Sequence, residues 1–153
     1  MRRTDKEILD KEIISQILEK SQICRLGLVE NNEAYIVPVN YAYHDGIIYI
    51  HSAPEGRKIR LIRECNLVSF ETELYLEIIK KDIPCQWSAN YRSVMGKGII
   101  TIENDPKAKK HGMDLIMKKY GAETEPDYEE SSLSRMVLLK LEIISVTGKQ
   151  SGE

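Results

Sequence analysis

The tripeptide Gly56-Arg57-Lys58 has the composition and order of an anion site: a conformationally free glycine, then two cations opening a helical pattern. The first backbone N–H groups of a helix lack intrahelical partners and the dipole is positive at that end, so amides and side chains together can hold a phosphate. The same tripeptide is also compatible with ordinary solvated charge on a helix start. Just upstream, Tyr49-Ile50-His51-Ser52-Ala53 delivers an imidazole and a hydroxyl at the end of a β-rich run. His51 is therefore either a reactive group beside a bound anion or a structural hydrogen-bonder at a strand end.

A second group of residues could meet a flat ligand. The run Tyr35-Ile36-Val37-Pro38-Val39-Asn40-Tyr41 contains a proline, which removes a ladder donor and places the strand at an edge or at a bulge. Backbone left unpaired around Pro38 could contact a heteroaromatic ring, and Asn40 offers both a donor and an acceptor. The alternative is that Pro38 only protects an edge from aggregation. Trp87, Tyr91, Arg92 and Ser93 form a polar and aromatic cluster suited to an interface or to ring stacking, or to ordinary partial burial. Gly96-Lys97-Gly98 lacks P-loop spacing and precedes a strand, so it reads as a bulge or a close backbone approach.

The elements that must position these groups follow from periodicity. Thr4-Asp5-Lys6-Glu7 has the form of a capping box, and Leu9, Ile13, Ile14, Ile17 and Leu18 recur at helical spacing, predicting a helix from there to about Lys20. β-rich runs at 23–29, 34–43 and 47–51 are separated by Asn31-Asn32 and Asp45-Gly46, pairs that tolerate positive φ, so 23–51 is expected to be an antiparallel meander. A short helix should start near Arg57. Long alternating runs at 66–79 and 90–102 predict two longer strands joined through 83–88.

Asp105-Pro106 caps a late helix that Gly121 stops. Residues 122–134 are expected to be an acidic loop containing Glu123, Glu125, Asp127, Glu129 and Glu130, and 136–146 a closing strand. The fold class expected is mainly β, of the α+β kind: a six-stranded antiparallel barrel with flanking helices, in a single domain covering 1–153. A barrel of that size is filled by its own side chains, so a sizeable ligand has to bind outside it, in a groove or at a subunit interface.

Composition removes whole classes of function. With 22 basic and 24 acidic residues interspersed and a net charge of −2, nothing marks a nucleic-acid surface. The N-terminal residues Met1 to Glu7 carry no apolar run and no stretch approaches a membrane span, so a soluble cytoplasmic protein is expected. Cys24, Cys65 and Cys85 are an odd set without CxxC spacing, which fits reduced thiols rather than a disulfide framework or a zinc site. HExxH, GxSxG and GxGxxG are absent, leaving metalloprotease, α/β-hydrolase and Rossmann chemistry without their local signatures.

In the order and spacing of these motifs the chain resembles the nitroimidazole-resistance-related, FMN-binding proteins of the pyridoxamine 5′-phosphate oxidase-like split-barrel superfamily. The likeness spans nearly the whole chain. It rests on the opening helix, on 34–41, on 48–53 followed by Gly56-Arg57-Lys58, on Tyr91-Arg92-Ser93-Val94 before Gly96-x-Gly98, and on Thr147-Gly148-Lys149.

The resemblance implies a homodimer with two FMN molecules in clefts between subunits. The phosphate would lie by Arg57 and Lys58, with His51, Ser52 and Ala53 alongside, and the isoalloxazine against Val37, Pro38, Val39 and Asn40. Trp87, Tyr91, Ser93 and Val94 of the second copy would close each cleft. His51 matches the histidine placed near the flavin in that group, which is associated with reduction of nitroimidazole drugs. The arginine-containing C-terminal segment that lines a pyridoxal-phosphate site in pyridoxamine oxidases proper has no counterpart here, so that activity is not implied.

Three functions remain open on the sequence: an FMN-dependent reductase of small electron-poor substrates, a flavin carrier or redox sensor without turnover, and a haem-binding split barrel with His51 as axial ligand.

Overall fold

The computed structural model describes residues 3–124 and 126–152, so Met1, Arg2, Glu125 and Glu153 lie outside the described residues, as does the side chain of Tyr75. Eight strands form one antiparallel sheet: β1 (Glu7–Ile8), β2 (Cys24–Glu30), β3 (Glu33–Val39), β4 (Ala42–His44), β5 (Ile47–Ser52), β6 (Leu67–Ile79), β7 (Ser88–Glu103) and β8 (Val137–Ser151). Among the described residues four α-helices flank it: α1 (Lys11–Lys20), α2 (Arg57–Glu64), α3 (Pro106–Lys119) and the short α4 (Glu130–Ser134). No helix among the described residues is long and apolar enough to cross a membrane.

Both tight turns form as their sequences demand. Asn31 and Asn32 have φ of 51° and 65°, and Asp45 and Gly46 have 48° and 80°, the doubly positive geometry that matches the twist of a two-residue hairpin. Asp105 caps α3 by accepting from the Ala108 amide at 2.9 Å, with Pro106 in the first turn. The long strands β6 and β7 pair from Leu67↔Ile99 to Ile79↔Ser88. The glycine pair also has a physical reason: the register shifts between Lys97 and Gly98, and a Cβ on Gly98 would lie 2.1 Å from the Glu142 carbonyl oxygen.

The strand order is β3-β2-β6-β7-β8-β5-β4, with β1 paired to β8. The sheet curls around a filled interior in which Leu26, Ile48, Ile50, Ile100, Leu139 and Leu141 are fully buried, and α1 adds Ile17 and Leu18. A smaller cluster of Ala42, Tyr49, Ile116 and Leu138 lies beneath α3, where Gly112 lets the helix settle on Leu138. With its centre occupied by side chains, the barrel has to bind any large ligand outside it.

Several expectations are corrected. The first helix starts at Lys11, capped by Asp10, whose carboxylate accepts from the Glu12 amide at 2.8 Å; the Thr4 capping box is overridden because Glu7 and Ile8 pair with Lys149 and Gly148. The run 34–43 is broken at Asn40-Tyr41. Tyr41 is buried, its hydroxyl donating to the Leu18 carbonyl at 2.6 Å and its amide to the Tyr120 hydroxyl at 3.2 Å.

That break removes the meander: β3 and β4 lie at opposite ends of the sheet, which remains open between them as a split barrel. The separate β4 and the two-residue β1 raise the strand count from the expected six to eight. The acidic loop contains α4, held to α3 by the Lys109 ammonium donating to the Leu133 carbonyl at 3.2 Å. The last strand runs on to Ser151.

Candidate functional site

Three elements meet around the start of α2. Gly56 precedes it at φ 114°, a conformation that side chains resist, and no atom lies within 4 Å of where a Cβ would be; backbone geometry, not crowding, selects glycine there. From β5, His51 and Ser52 pair with Leu138 and Val137 of β8, while β4 covers only the other end of the strand, Ile47 to Tyr49. His51 is exposed, Ser52 buried and Ala53 exposed.

The two cations of the tripeptide do different things. The Arg57 guanidinium donates to Glu30 at the end of β2 through Nε at 2.6 Å, and stands over the Tyr35 ring of β3 at 4.2 Å. Arg60, one turn on, binds the other oxygen of the same carboxylate. These two arginines hold the Glu30 carboxyl below its usual range, Arg60 foremost. Lys58 has no hydrogen bond or ion pair among the described residues.

Burial pushes the Lys58 ammonium below the usual lysine value. His51 keeps an exposed face, but partial burial of its imidazole, and then the Lys58 charge, lower it as well, favouring the neutral form. A half-buried cation without a counter-charge, at the positive end of a helix dipole, is an electrostatic deficit that an anion would relieve. The residues present therefore fit a phosphate.

β3 forms the neighbouring wall. Tyr35, Val37 and Val39 pack against the core, whereas Ile36, Pro38 and Asn40 are exposed. Pro38 stands opposite Arg25 on a strand with one sheet neighbour, so its missing N–H costs no ladder bond on the open side. Arg57, across Tyr35, ties this strand to the start of α2.

The remaining candidates lie elsewhere. β2 covers β6 only over Ser69 to Thr72, and beyond it the β6–β7 hairpin projects with Leu76 67%, Ile78 52%, Ile83 51% and Trp87 47% exposed. The Trp87 indole donates to the Lys81 carbonyl at 2.8 Å and lies under the Lys80 ammonium at 5.5 Å. Tyr91 and Ser93 are half-buried, whereas the Val94 side chain belongs to the core and leaves only its backbone for contact. No hydrogen bond or ring contact joins this set to the His51–Lys58 set among the described residues. Sequence reasoning missed Glu30 and Tyr35, whose part depends on a helix packing against a hairpin and leaves no local signal.

The comparisons with known proteins agree with the fold. The family model described as pyridoxamine 5′-phosphate oxidase matches residues 10–150. A Bacteroides thetaiotaomicron structure named for 5-nitroimidazole antibiotic resistance superimposes with a TM-score of 0.85 at 28% identity, covering 94% of this chain and 86% of that one. The flavocytochrome Anf3 of Azotobacter vinelandii gives 0.87 at 17% identity, covering 100% and 72%. A Mycobacterium smegmatis protein named for binding FAD and heme gives 0.86 at 17%, covering 97% and 74%. No curated protein sequence matches. With a family model covering all but its ends and the same split-barrel architecture, the chain belongs to the pyridoxamine 5′-phosphate oxidase family.

Proposed function

We propose that this protein binds FMN in a cleft completed by a second copy of the chain and serves as a flavin-dependent reductase of small electron-poor substrates such as nitroimidazoles. The observation that carries the reading is Lys58: a half-buried ammonium without a partner among the described residues, in the first turn of α2 beside a positive-φ glycine. In this reading Lys58 and the free amides of the first turn hold the phosphate. Arg57 fixes that turn against β2 and β3 through Glu30 and Tyr35. The open edge of β3 at Val37 to Asn40 takes one side of the ring system.

Bound flavin supplies hydride or electron transfer. The protein's contribution is orientation, hydrogen bonding and exclusion of water, with the neutral His51 imidazole able to accept or donate one hydrogen bond next to the ligand. The projecting β6–β7 hairpin supports a dimer, because its apolar side chains have no cover within one chain. Trp87 and Tyr91 would then reach the partner's cleft.

The first test is an absorption spectrum of the purified protein, before and after FMN is added and the unbound fraction removed. Retained flavin bands support the reading, and identifying the released flavin separates FMN from FAD. Steady-state oxidation of a nicotinamide donor with a nitroimidazole acceptor separates a reductase from a carrier or sensor without turnover. A haem reading is favoured by one feature, the neutral imidazole of His51, since iron is ligated by that form. A Soret band after haem addition, with none in His51→Ala, would decide for it.

A further inference from the structure

One carboxylate occupies both arginines at the start of α2. Glu30, the last residue of β2, accepts on one oxygen from Arg57, with Nε at 2.6 Å and a terminal nitrogen at 2.5 Å, and on the other oxygen from Arg60. The two guanidinium groups keep it ionised at neutral pH. Arg60 also donates to Glu64 at 3.0 Å, and Arg57 is fixed by the Tyr35 ring. Two arginines and two carboxylates thus cancel, so Lys58 is the one cation of this turn whose charge is unopposed among the described residues.

A groove of about 410 Å³ runs on from Gly56 along α2, lined among others by Glu55, Arg60, Arg63 and Glu64. Arg60 stands one turn beyond Gly56, its amide donating to the Gly56 carbonyl at 3.0 Å. An anion joined to a phosphate at the Gly56 turn therefore enters a space whose nearest guanidinium is already taken by Glu30 and Glu64. Arg63, which has no hydrogen bond or ion pair among the described residues, is offset by Glu55. The groove has room for a second phosphate without the charge to hold it. Specificity is a difference of affinities, and withholding a counter-charge sets it as well as supplying one.

We infer that Glu30 sets the class of flavin nucleotide this chain accepts: by occupying Arg57 and Arg60 it confines the α2 site to a single terminal phosphate, and so favours FMN over a flavin dinucleotide. The inference rests on the phosphate reading of Lys58. A terminal phosphate concentrates its charge in one compact group, which Lys58 and the amides of the first turn meet at one place. In a dinucleotide the charge is divided between two linked phosphates, and the second needs a partner of its own. Desolvating that phosphate beside an ionised carboxylate is unfavourable. Removing the Glu30 charge returns both guanidinium forks, the groups best matched to phosphate oxygens.

The test is equilibrium dialysis of FMN and of FAD, separately, against the full chain and against Glu30→Gln. The intact protein should favour FMN by about tenfold or more, and Glu30→Gln should narrow that ratio severalfold through a gain of FAD affinity, the scale of one charge-assisted bond. Adding Arg60→Ala to Glu30→Gln should take the FAD gain away, which a mere loosening of α2 would not do. Glu30→Asp keeps the charge but draws it back from the two arginines; it should shift the ratio the same way by less, and it carries the test if Glu30→Gln does not fold. A ratio unchanged in these variants, or FAD bound as tightly as FMN by the intact chain, would overturn the role of Glu30 and leave the phosphate site standing. Retention of neither flavin by the intact chain would overturn the Lys58 reading and this one with it.

Discussion

The Lys58 ammonium on α2 bears on the His51 imidazole at the end of β5, and with burial as the larger cause it holds that histidine below its ordinary value. An anion drawn to Lys58 reverses the sign of the local field. In an NMR titration His51 should therefore titrate below about 6.5 in the free protein and move upward when inorganic phosphate or FMN is added. The unfolded chain takes up the His51 proton first as pH falls, so this group's contribution to stability is lost from about pH 6.5 downward. His51→Ala should spare FMN affinity more than turnover, and equal loss of both would mark a structural role.

Lys58→Ala should weaken FMN binding by roughly 1.5 to 3 kcal/mol, the range for a charge-assisted hydrogen bond. Arg57→Ala should weaken it less, because that guanidinium is committed to Glu30 and Tyr35. Fluorescence titration of the two variants checks the order, and unchanged affinity in Lys58→Ala would remove the phosphate assignment.

If the proposed dimer forms through the projecting hairpin, a lysine at both Leu76 and Ile78 should shift it to monomer in sedimentation equilibrium and reduce retained FMN in parallel. Monomers that keep full FMN affinity would show that the second copy contributes nothing to the cleft.

Gly98→Ala should destabilise the fold by about 1 to 3 kcal/mol or more, as overpacking does, because its Cβ would meet the Glu142 backbone 2.1 Å away, where no rotamer change can help. Chemical denaturation measures it. Gly46→Ala, with nothing within 4 Å but φ at 80°, should cost through backbone strain alone.

The Lys119 ammonium, 3.3 Å from the centroid of the Tyr41 ring and brought down to about 8 from 10.5 by burial, gives a signature of the same pH sense as the His51 loss but in an alkaline window. Between those values the unfolded chain binds more protons than the native one, so native stability should rise with pH across that window. Attraction of the charged form to the Tyr41 ring offsets part of the rise. Thermal melts of Lys119→Met should lack it.

Wherever local chemistry decides structure, the sequence was legible. Asn31-Asn32, Asp45-Gly46 and Asp105-Pro106 each carry their own geometric instruction, and the turns and cap they predict are present. Pro38 correctly indicated an edge. The exceptions trace to distant partners. The helix expected from Thr4 is cut to a single 3-10 turn, Thr4–Lys6, because β8, more than a hundred residues on, pairs with Glu7 and Ile8, and the run 34–43 was broken by a tyrosine whose hydrogen-bond partners include Leu18, Thr72 and Tyr120. For the candidate site, Gly56, Lys58 and His51 could be read as a group from their spacing. The engagement of Arg57 by Glu30 and Tyr35 could not, since it depends on where α2 lies against the β2–β3 hairpin.

The step at Asn40-Tyr41 governs the order in which the site can be assembled. β3 and β5 are only seven residues apart in the chain, yet the sheet places β2, β6, β7 and β8 between them. Their relative position is therefore set by pairings that bring Leu139 against Ile50 and Phe70 against Leu26, contacts of long sequence separation, a kind of pairing that is intrinsically slow to form. A nascent chain that has emerged only as far as α2 already contains His51, Lys58 and Asn40, but β3 and β5 take their places relative to each other only once the C-terminal strand has been added.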